Sequence, residues 1–159
     1  MTHASHEFGP FYNTDSEILI LGSFPSTKSR AESFYYAHPQ NRFWRTLATC
    51  FGCDTPKTLE EKKLMLSKNK IALWDVIESC DIEGSSDASI KNAVPTDITS
   101  LIKGTRITRI ILNGKTAERY FYRYFPHLVL PAVTLPSTSP ANASWTQDRL
   151  TAVWREALM

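Results

Sequence analysis

The stretch of sequence that decides the fold reads Leu19-Ile-Leu-Gly-Ser-Phe-Pro-Ser26 and, after a short polar segment, Tyr35-Tyr-Ala-His-Pro-Gln-Asn-Arg-Phe-Trp44. The apolar run that ends at Gly22 is typical of a parallel strand buried on both faces. A Gly/Pro turn follows it, and then a ring, an imidazole and an amide lie within six residues, at Tyr36, His38 and Asn41. A buried strand that ends in such a segment predicts a pocket for a flat heterocycle.

Predicted strands and helices alternate along the rest of the chain. Further strands are predicted over 70–77, 106–113 and 128–135, the last at a sheet edge because of Pro131, and helices over 40–51, 58–69, 95–102, 115–125 and 144–158. Two segments are predicted to lack regular structure, a loosely ordered lead-in over 1–16 and a loop over most of 79–92. The alternation predicts a single α/β domain over 1–159, with three α/β/α layers around a central four-stranded parallel sheet.

The composition is that of an ordinary globular protein, and it excludes several classes. The 159 residues are 42% hydrophobic and 11% aromatic, which suffices for one domain with a full core. No apolar run approaches the roughly 20 residues of a membrane span. Residues 1–10 lack the apolar core of a signal peptide, so we expect a cytoplasmic protein. The net charge of +2 permits an anionic partner without requiring one.

The three cysteines do not fit a metal site. Cys50 and Cys53 have the spacing of zinc ligands, but a structural zinc site takes four ligands, and Cys80 is the one cysteine left. We therefore predict that Cys50 and Cys53 pack as small apolar residues near a helix end.

The unusual residues of the chain lie where the predicted strands end. In a parallel sheet the ligand crevice lies at the carboxyl ends of the strands, and four loops reach that edge, over 22–41, 75–86, 113–115 and 136–142. Each polar residue there also has a structural alternative. Asn41 can cap the helix that follows it, and Asn113 can form a turn with Gly114.

These motifs resemble those of the uracil-DNA glycosylase superfamily. Ala37-His-Pro-Gln-Asn-Arg-Phe-Trp44 is similar to the mismatch-specific uracil/thymine branch. The resemblance is closer to the hypoxanthine-DNA (deoxyinosine) glycosylase family, through Gly22-Ser-Phe-Pro-Ser26, Ala72-Leu-Trp-Asp-Val-Ile77, Asn113-Gly-Lys115 and Leu135-Pro-Ser-Thr-Ser-Pro-Ala-Asn142. It covers essentially the whole chain from about Phe8.

The resemblance implies a monofunctional DNA-repair glycosylase. Such an enzyme flips deoxyinosine out of the stack, hydrolyses its N-glycosidic bond, and leaves an abasic site. We expect a monomer that acts on DNA containing a deaminated base, with no membrane partner and with neither a metal nor an organic cofactor. A glycosylase for uracil or other damaged bases is the alternative within this class, and a nucleic-acid-binding module with weak or lost catalysis is the alternative outside it.

The first motif departs from the pattern of the superfamily. Members with strong uracil activity carry an acid or an amide where this chain has Phe24, which can neither position nor activate water. The resemblance moves the catalytic role to Asn41, whose amide can orient water or donate to a developing negative charge. We therefore expect weaker catalysis than a carboxylate base would give, and inefficient action on uracil.

Base and DNA contacts are predicted for a further set of residues. Tyr36 is expected to stack on the flipped base, Asn113 and Asp75 to contact its edge, and Ser23 and Phe24 to line the same pocket. The predicted DNA contacts are Ser26, His38, Ser137, Thr138, Ser139 and Asn142, and the cations expected near phosphates are Lys28, Arg30, Arg42 and Lys115. The structural alternatives are a rim tyrosine, a loop-anchoring aspartate, a hydrogen-bonded loop histidine and a capped turn before the last helix.

Overall fold

The computed structural model describes residues 1–159 and contains two β-sheets accompanied by six α-helices. The strands are β1 (Thr2–Ser5), β2 (Ile18–Gly22), β3 (Ile71–Asp75), β4 (Ile77–Ile82), β5 (Lys91–Pro95), β6 (Arg109–Asn113) and β7 (Ala132–Leu135). The helices are α1 (Thr27–Glu32), α2 (Phe43–Phe51), α3 (Leu59–Lys68), α4 (Ile98–Lys103), α5 (Lys115–Tyr124) and α6 (Gln147–Leu158), and a 3-10 turn covers Asp87–Ser89. None of the helices combines the length and the apolarity that crossing a bilayer requires.

Four strands form the central sheet, which is parallel throughout and has the order β3-β2-β6-β7. Strand β2 has a parallel neighbour on each side and all its residues are buried, as its continuous apolar run predicts. Pro131 immediately precedes β7, which is an edge strand as expected. The parallel sheet of four strands, flanked by helices, confirms the predicted α/β fold.

A second sheet, antiparallel and in the order β1-β4-β5, was not predicted. Strand β1 pairs with β4 from Thr2 opposite Ile82 to Ser5 opposite Ser79. The expectation of a loosely ordered lead-in is therefore wrong for Thr2–Ser5, whereas the loop expected over most of 79–92 is present between β4 and β5, over 83–90, with a 3-10 turn inside it. These strands are short and carry few apolar residues, so neither segment shows a strong hydrophobic period.

The N-terminal segment continues from β1 onto the edge of the central sheet. Phe11 and Leu73 exchange two backbone hydrogen bonds of 2.9 Å, and the Tyr35 hydroxyl donates to the carbonyl of Gly9. Between these contacts the buried imidazole of His6 donates from Nε2 to Oδ2 of Asp75 at 2.9 Å. The first residues of the chain thus form part of the wall around the carboxyl end of β3.

The cysteines follow the prediction in part. Cys50 in α2 and Cys80 in β4 are buried, whereas Cys53 is exposed. Gly52 adopts a left-handed φ of 68° and ends α2, which turns the chain outward at Cys53. Burial of Cys50 is confirmed, and burial of Cys53 is not.

Replacing His6 by Ala would leave the Asp75 carboxylate buried without its partner. Breaking one side of a buried pair costs about 3–5 kcal/mol, so His6→Ala should lower the free energy of unfolding by that order in urea titrations. The matched control is His3→Ala, which removes an exposed contact with Asp81 across the β1–β4 pair. It should leave the unfolding midpoint nearly unchanged. Equal effects of the two substitutions would contradict the buried pair.

Candidate active site

A cavity of about 370 Å³ opens at the carboxyl edge of the central sheet. It is lined by all the residues predicted for catalysis or base contact, which are Asn41, Tyr36, Asn113, Asp75, Ser23 and Phe24. Of the predicted DNA contacts, those that line it are Ser26, His38, Ser137, Thr138 and Ser139, and Asn142 does not. Residues separated by more than 100 positions in the sequence therefore meet at one site, because parallel strands bring their carboxyl ends to one edge.

Gly22 and Asp75 form the floor of the cavity, where they are paired at the ends of β2 and β3. A Cβ atom at Gly22 would lie 2.5 Å from Oδ1 of Asp75 and 3.3 Å from the hydroxyl of Tyr36. The missing side chain is thus what lets a carboxylate and a phenol approach the same strand end. Asp75 is 3% exposed, and because His6 holds its Oδ2, Oδ1 is the oxygen that lies toward Gly22 and Tyr36.

Tyr36 forms one wall of the cavity in a constrained geometry. Its ring stacks on Phe43, with centroids 3.9 Å apart and planes 18° from parallel. Its backbone has φ of 51°, which is uncommon for a residue other than glycine, and the next N–H, of Ala37, donates to the buried hydroxyl of Ser29 at 3.1 Å. Burial and the charge of Asp75 raise the pKa of Tyr36 far above its usual range, so the phenol stays protonated.

Asn41 lies one residue before Arg42, the N-cap residue of α2, and from there it caps the first turn while keeping donors available to the cavity. Its Oδ1 accepts the backbone N–H of Phe43 at 2.9 Å, in the first turn of α2. Because that N–H requires an acceptor, the contact fixes the amide with its oxygen toward the helix and its Nδ2 group directed away from it. The capping predicted as the structural alternative is therefore present in part, since Asn41 satisfies a first-turn N–H from outside the N-cap position, and this contact orients the amide as a donor.

His38 lies exposed at the rim of the cavity. Its Nδ1 accepts the backbone N–H of Gln40 at 3.1 Å, which leaves Nε2 unengaged and protonated in the neutral ring. The hydrogen-bonded loop histidine that the sequence suggests is present, and the same geometry offers a donor to an anion at the rim.

The loop between β7 and α6 is anchored to the end of β6 by an amide pair. Oδ1 of Asn113 accepts the Thr138 N–H at 3.0 Å, and Nδ2 of Asn113 donates to the Thr138 hydroxyl at 3.1 Å. Thr138 is fully buried. These contacts favour anchoring roles for Asn113 and Thr138 over the base contact and the DNA contact predicted for them.

The hydroxyl groups on either side of Thr138 have a different arrangement. The Ser137 hydroxyl accepts the Ser139 N–H at 3.1 Å, and the Ser139 hydroxyl accepts the Ala141 N–H at 3.2 Å. Each hydroxyl is used as an acceptor and keeps its own O–H for another partner. Both residues line the cavity and are partly exposed, so their O–H groups can donate to an anion.

Arg42 holds the far end of the same loop. Its guanidinium donates to the carbonyls of Ser139, Asn142 and Trp145. The side chain of Asn142 in turn donates to the Ser137 carbonyl at 3.1 Å, within the loop. These contacts favour a loop-holding role for Arg42 over the predicted phosphate contact, because both terminal nitrogens are engaged by backbone carbonyls and its Nε is buried.

The other cations predicted near phosphates differ in how free they are. Lys28 pairs with Glu32 at 3.2 Å on the surface of α1, and Arg30 donates to the Gly84 carbonyl at 2.8 Å. Lys115, at the start of α5, is exposed and has no hydrogen-bond partner within the chain. Of these three side chains, Lys115 is the one most available to an anion.

Two residues of the site escaped the sequence analysis, His6 behind the cavity and Asp87 within it. Asp87 accepts the Ser23 hydroxyl at 2.9 Å. Asp87 is exposed at the cavity, and partial desolvation by the surrounding protein raises its pKa. The hydrogen bonds of Ser23 and Thr116 oppose the rise, the charge of Asp75 adds to it, and the charge of Arg119 opposes it. Both residues belong to segments without a hydrophobic period, and no motif marks them.

Comparisons with known proteins identify the family of the chain. The model of the uracil DNA glycosylase superfamily matches residues 10–158. A hypoxanthine DNA glycosylase of Methanosarcina acetivorans is 35% identical over 144 residues, which are 89% of this chain and 90% of that protein. A protein of the same name from Methanosarcina barkeri is 36% identical over 116 residues, covering 71% of this chain and 73% of that one.

A solved structure gives the same result for the fold. It is a solution NMR structure of a candidate uracil DNA glycosylase from Methanosarcina acetivorans, 31% identical to this chain. The two superpose with a TM-score of 0.83 over 95% of this chain and 94% of that one. The chain therefore belongs to the uracil DNA glycosylase superfamily.

Proposed function

We propose that the protein is a monofunctional DNA glycosylase that hydrolyses the N-glycosidic bond of deoxyinosine, releases hypoxanthine and leaves an abasic site. The observation that carries the proposal is the convergence of Tyr36, Asn41 and Asp75 on one cavity at the sheet edge. Membership of the superfamily and the names of the two Methanosarcina relatives support it.

Asp75 gives the cavity its selectivity for a deaminated purine. Hypoxanthine carries an N–H at position 1, beside the carbonyl at position 6, and Oδ1 of Asp75 is the acceptor that such a donor needs. Adenine has a lone pair at the same nitrogen, so it would face the carboxylate acceptor to acceptor, with no hydrogen bond formed. His6 holds the other oxygen and so fixes the orientation of this carboxylate.

Tyr36 binds the face of the base. One face of its ring is covered by Phe43, and the other is the face on which a flipped base stacks. Stacking of a base on an aromatic ring is worth about 1–3 kcal/mol, and the constrained backbone of Tyr36 prepares that surface before DNA arrives.

Asn41 acts on the leaving group. As the C1′–N9 bond breaks, negative charge develops on the purine, and the Nδ2 group of Asn41 donates to it. The cap to Phe43 holds the amide in place, so the donor needs no reorganisation when the charge appears. The DNA backbone is held at the rim by the unengaged Nε2 of His38 and by the hydroxyls of Ser137 and Ser139.

Labelled oligonucleotides carrying a single inosine test the proposal directly. Incubation with the protein should produce abasic sites, scored as strand breaks after alkali. Control oligonucleotides with adenine in place of inosine should stay intact, because adenine forms no hydrogen bond with Asp75. Those with uracil should react more slowly than those with inosine. If the protein binds the inosine-containing DNA but produces no abasic sites, it is a nucleic-acid-binding module and not a glycosylase.

Asn41→Asp separates the two roles open to Asn41. An aspartate keeps the acceptor for the Phe43 N–H but has no donor, so single-turnover excision should slow about 100-fold or more. If Asn41 served instead to orient or activate water, a carboxylate there would act as well or better. Asn41→Ala, which removes cap and donor together, should be at least as slow, and DNA binding by both variants should persist.

Gly22→Ala tests the close approach at the cavity floor. The new Cβ would displace the Asp75 carboxylate, and displacing a packed side chain costs about 1–3 kcal/mol, so excision should slow about 10-fold or more. Gly104→Ala is the control, because a Cβ there meets its nearest atom at an ordinary 3.6 Å. Unchanged excision by Gly22→Ala would show that Asp75 does not depend on this space.

A further inference from the structure

We propose that Asp87 is the general base that activates the attacking water, in place of the polar residue that the first motif lacks. The inference rests on the proposed function, since it assigns a step of the same hydrolysis. The hydrolysis requires a proton acceptor that the residues assigned so far do not supply. Water must lose a proton as it adds to the sugar, and Asn41 cannot take one because an amide is no proton acceptor at neutral pH.

The position of Asp87 answers that requirement. Ser23 and Phe24 form the first motif at the end of β2, and the Ser23 hydroxyl donates to Oδ1 of Asp87 at 2.9 Å. Both motif residues line the cavity, as does Asp87. The Asp87 carboxylate therefore contacts the first motif, in which Phe24 supplies no polar group to the cavity.

The segment that carries Asp87 is fixed on both sides. Within it, the Glu83 N–H donates to the Ser89 hydroxyl at 2.8 Å, and that hydroxyl donates to the Ser86 carbonyl at 2.7 Å. On its outer side, the Thr27 N–H at the start of α1 donates to the Ser85 hydroxyl at 2.9 Å. These contacts hold the segment, and with it the Asp87 carboxylate, in a defined position beside the start of α1.

Asp87 differs from the other carboxylate of the cavity in the way that a base requires. Asp75 has one oxygen committed to His6 and lies almost wholly buried at the floor. Oδ1 of Asp87 accepts from Ser23, Thr116 is a second neighbour of the same carboxylate, and desolvation together with the charge of Asp75 raises the pKa of Asp87 above its ordinary value. A base of higher pKa takes a proton more readily, so the surroundings of Asp87 suit this role.

The reaction balances with these groups alone. Oδ2 of Asp87 takes a proton from water while the water oxygen bonds to C1′ of the sugar. The C1′–N9 bond breaks, and its electron pair leaves on the base, where Asn41 stabilises the charge. The proton on Asp87 then passes to solvent or to the released base, which restores the carboxylate.

Asp87→Asn tests the assignment, because asparagine keeps the size and the acceptor for Ser23 but cannot take a proton. Single-turnover excision of inosine should fall about 100-fold or more. The excision rate of the parent should drop as pH falls through the raised pKa of Asp87, and that drop should vanish in the variant. Binding to DNA with a fluorinated, uncleavable inosine should be unchanged. The matched control is Glu83→Gln, an exposed carboxylate of the same segment, which should behave as the parent.

A second variant gives a readout that loss of structure would not. The Ser23 hydrogen bond lowers the pKa of Asp87, so Ser23→Ala should raise that pKa and move the acid limb of the rate profile to higher pH. The other charged groups that face Asp87 are Asp75 and Arg119, and both stay in place. A limb that stays where it is in Ser23→Ala, or that survives in Asp87→Asn, overturns the assignment.

The outcomes separate this inference from the function on which it rests. If the parent releases no hypoxanthine from inosine DNA, the proposed function fails. If the parent releases it and Asp87→Asn does so at the same rate, the function stands and Asp87 is not the base.

Discussion

The site depends on a buried carboxylate held at the end of a parallel strand. A charged group that is 3% exposed is costly unless it is paired, and Asp75 is tolerated because His6 donates to one of its oxygens and Gly22 leaves space beside the other. The pairing of β1 with β4 places His6 beside the Asp75 carboxylate. The proposed base selectivity therefore depends on the same contacts that stabilise the fold.

The polar side chains around that carboxylate differ in whether their hydrogen-bonding groups are free or are satisfied within the chain. The contact of Asn41 with the start of α2 leaves its Nδ2 group free to donate. The side chains of Asn113 and Arg42 instead hold the loop that carries Ser137 and Ser139. The polar residues at the four strand ends are thus of two kinds, those that face the cavity with free groups and those whose groups are satisfied within the chain. Only the first kind can contact a substrate.

The sequence was sufficient for the central sheet and for most of the cavity lining. The continuous apolar run of β2 and the turn residues after each strand have periods and compositions that specify buried parallel strands and their ends. The second sheet was missed because its strands are short and polar, and with it His6 and Asp87, whose partners lie 69 and 64 positions away. Pairings of that kind leave no local pattern. Whether an amide at a strand end is free or engaged, as with Asn41 and Asn113, is likewise decided by contacts made elsewhere in the chain.

The pairing of β1 with β4 sets an order of assembly. During synthesis β1 leaves the ribosome long before residues 79–82, so it has no partner until those residues have been made. Closing so large a loop is slow compared with forming local helices. The wall of the cavity that includes His6 is consequently completed late, after α1, α2 and α3 have had time to form, and β1 of the nascent chain stays unpaired during that interval.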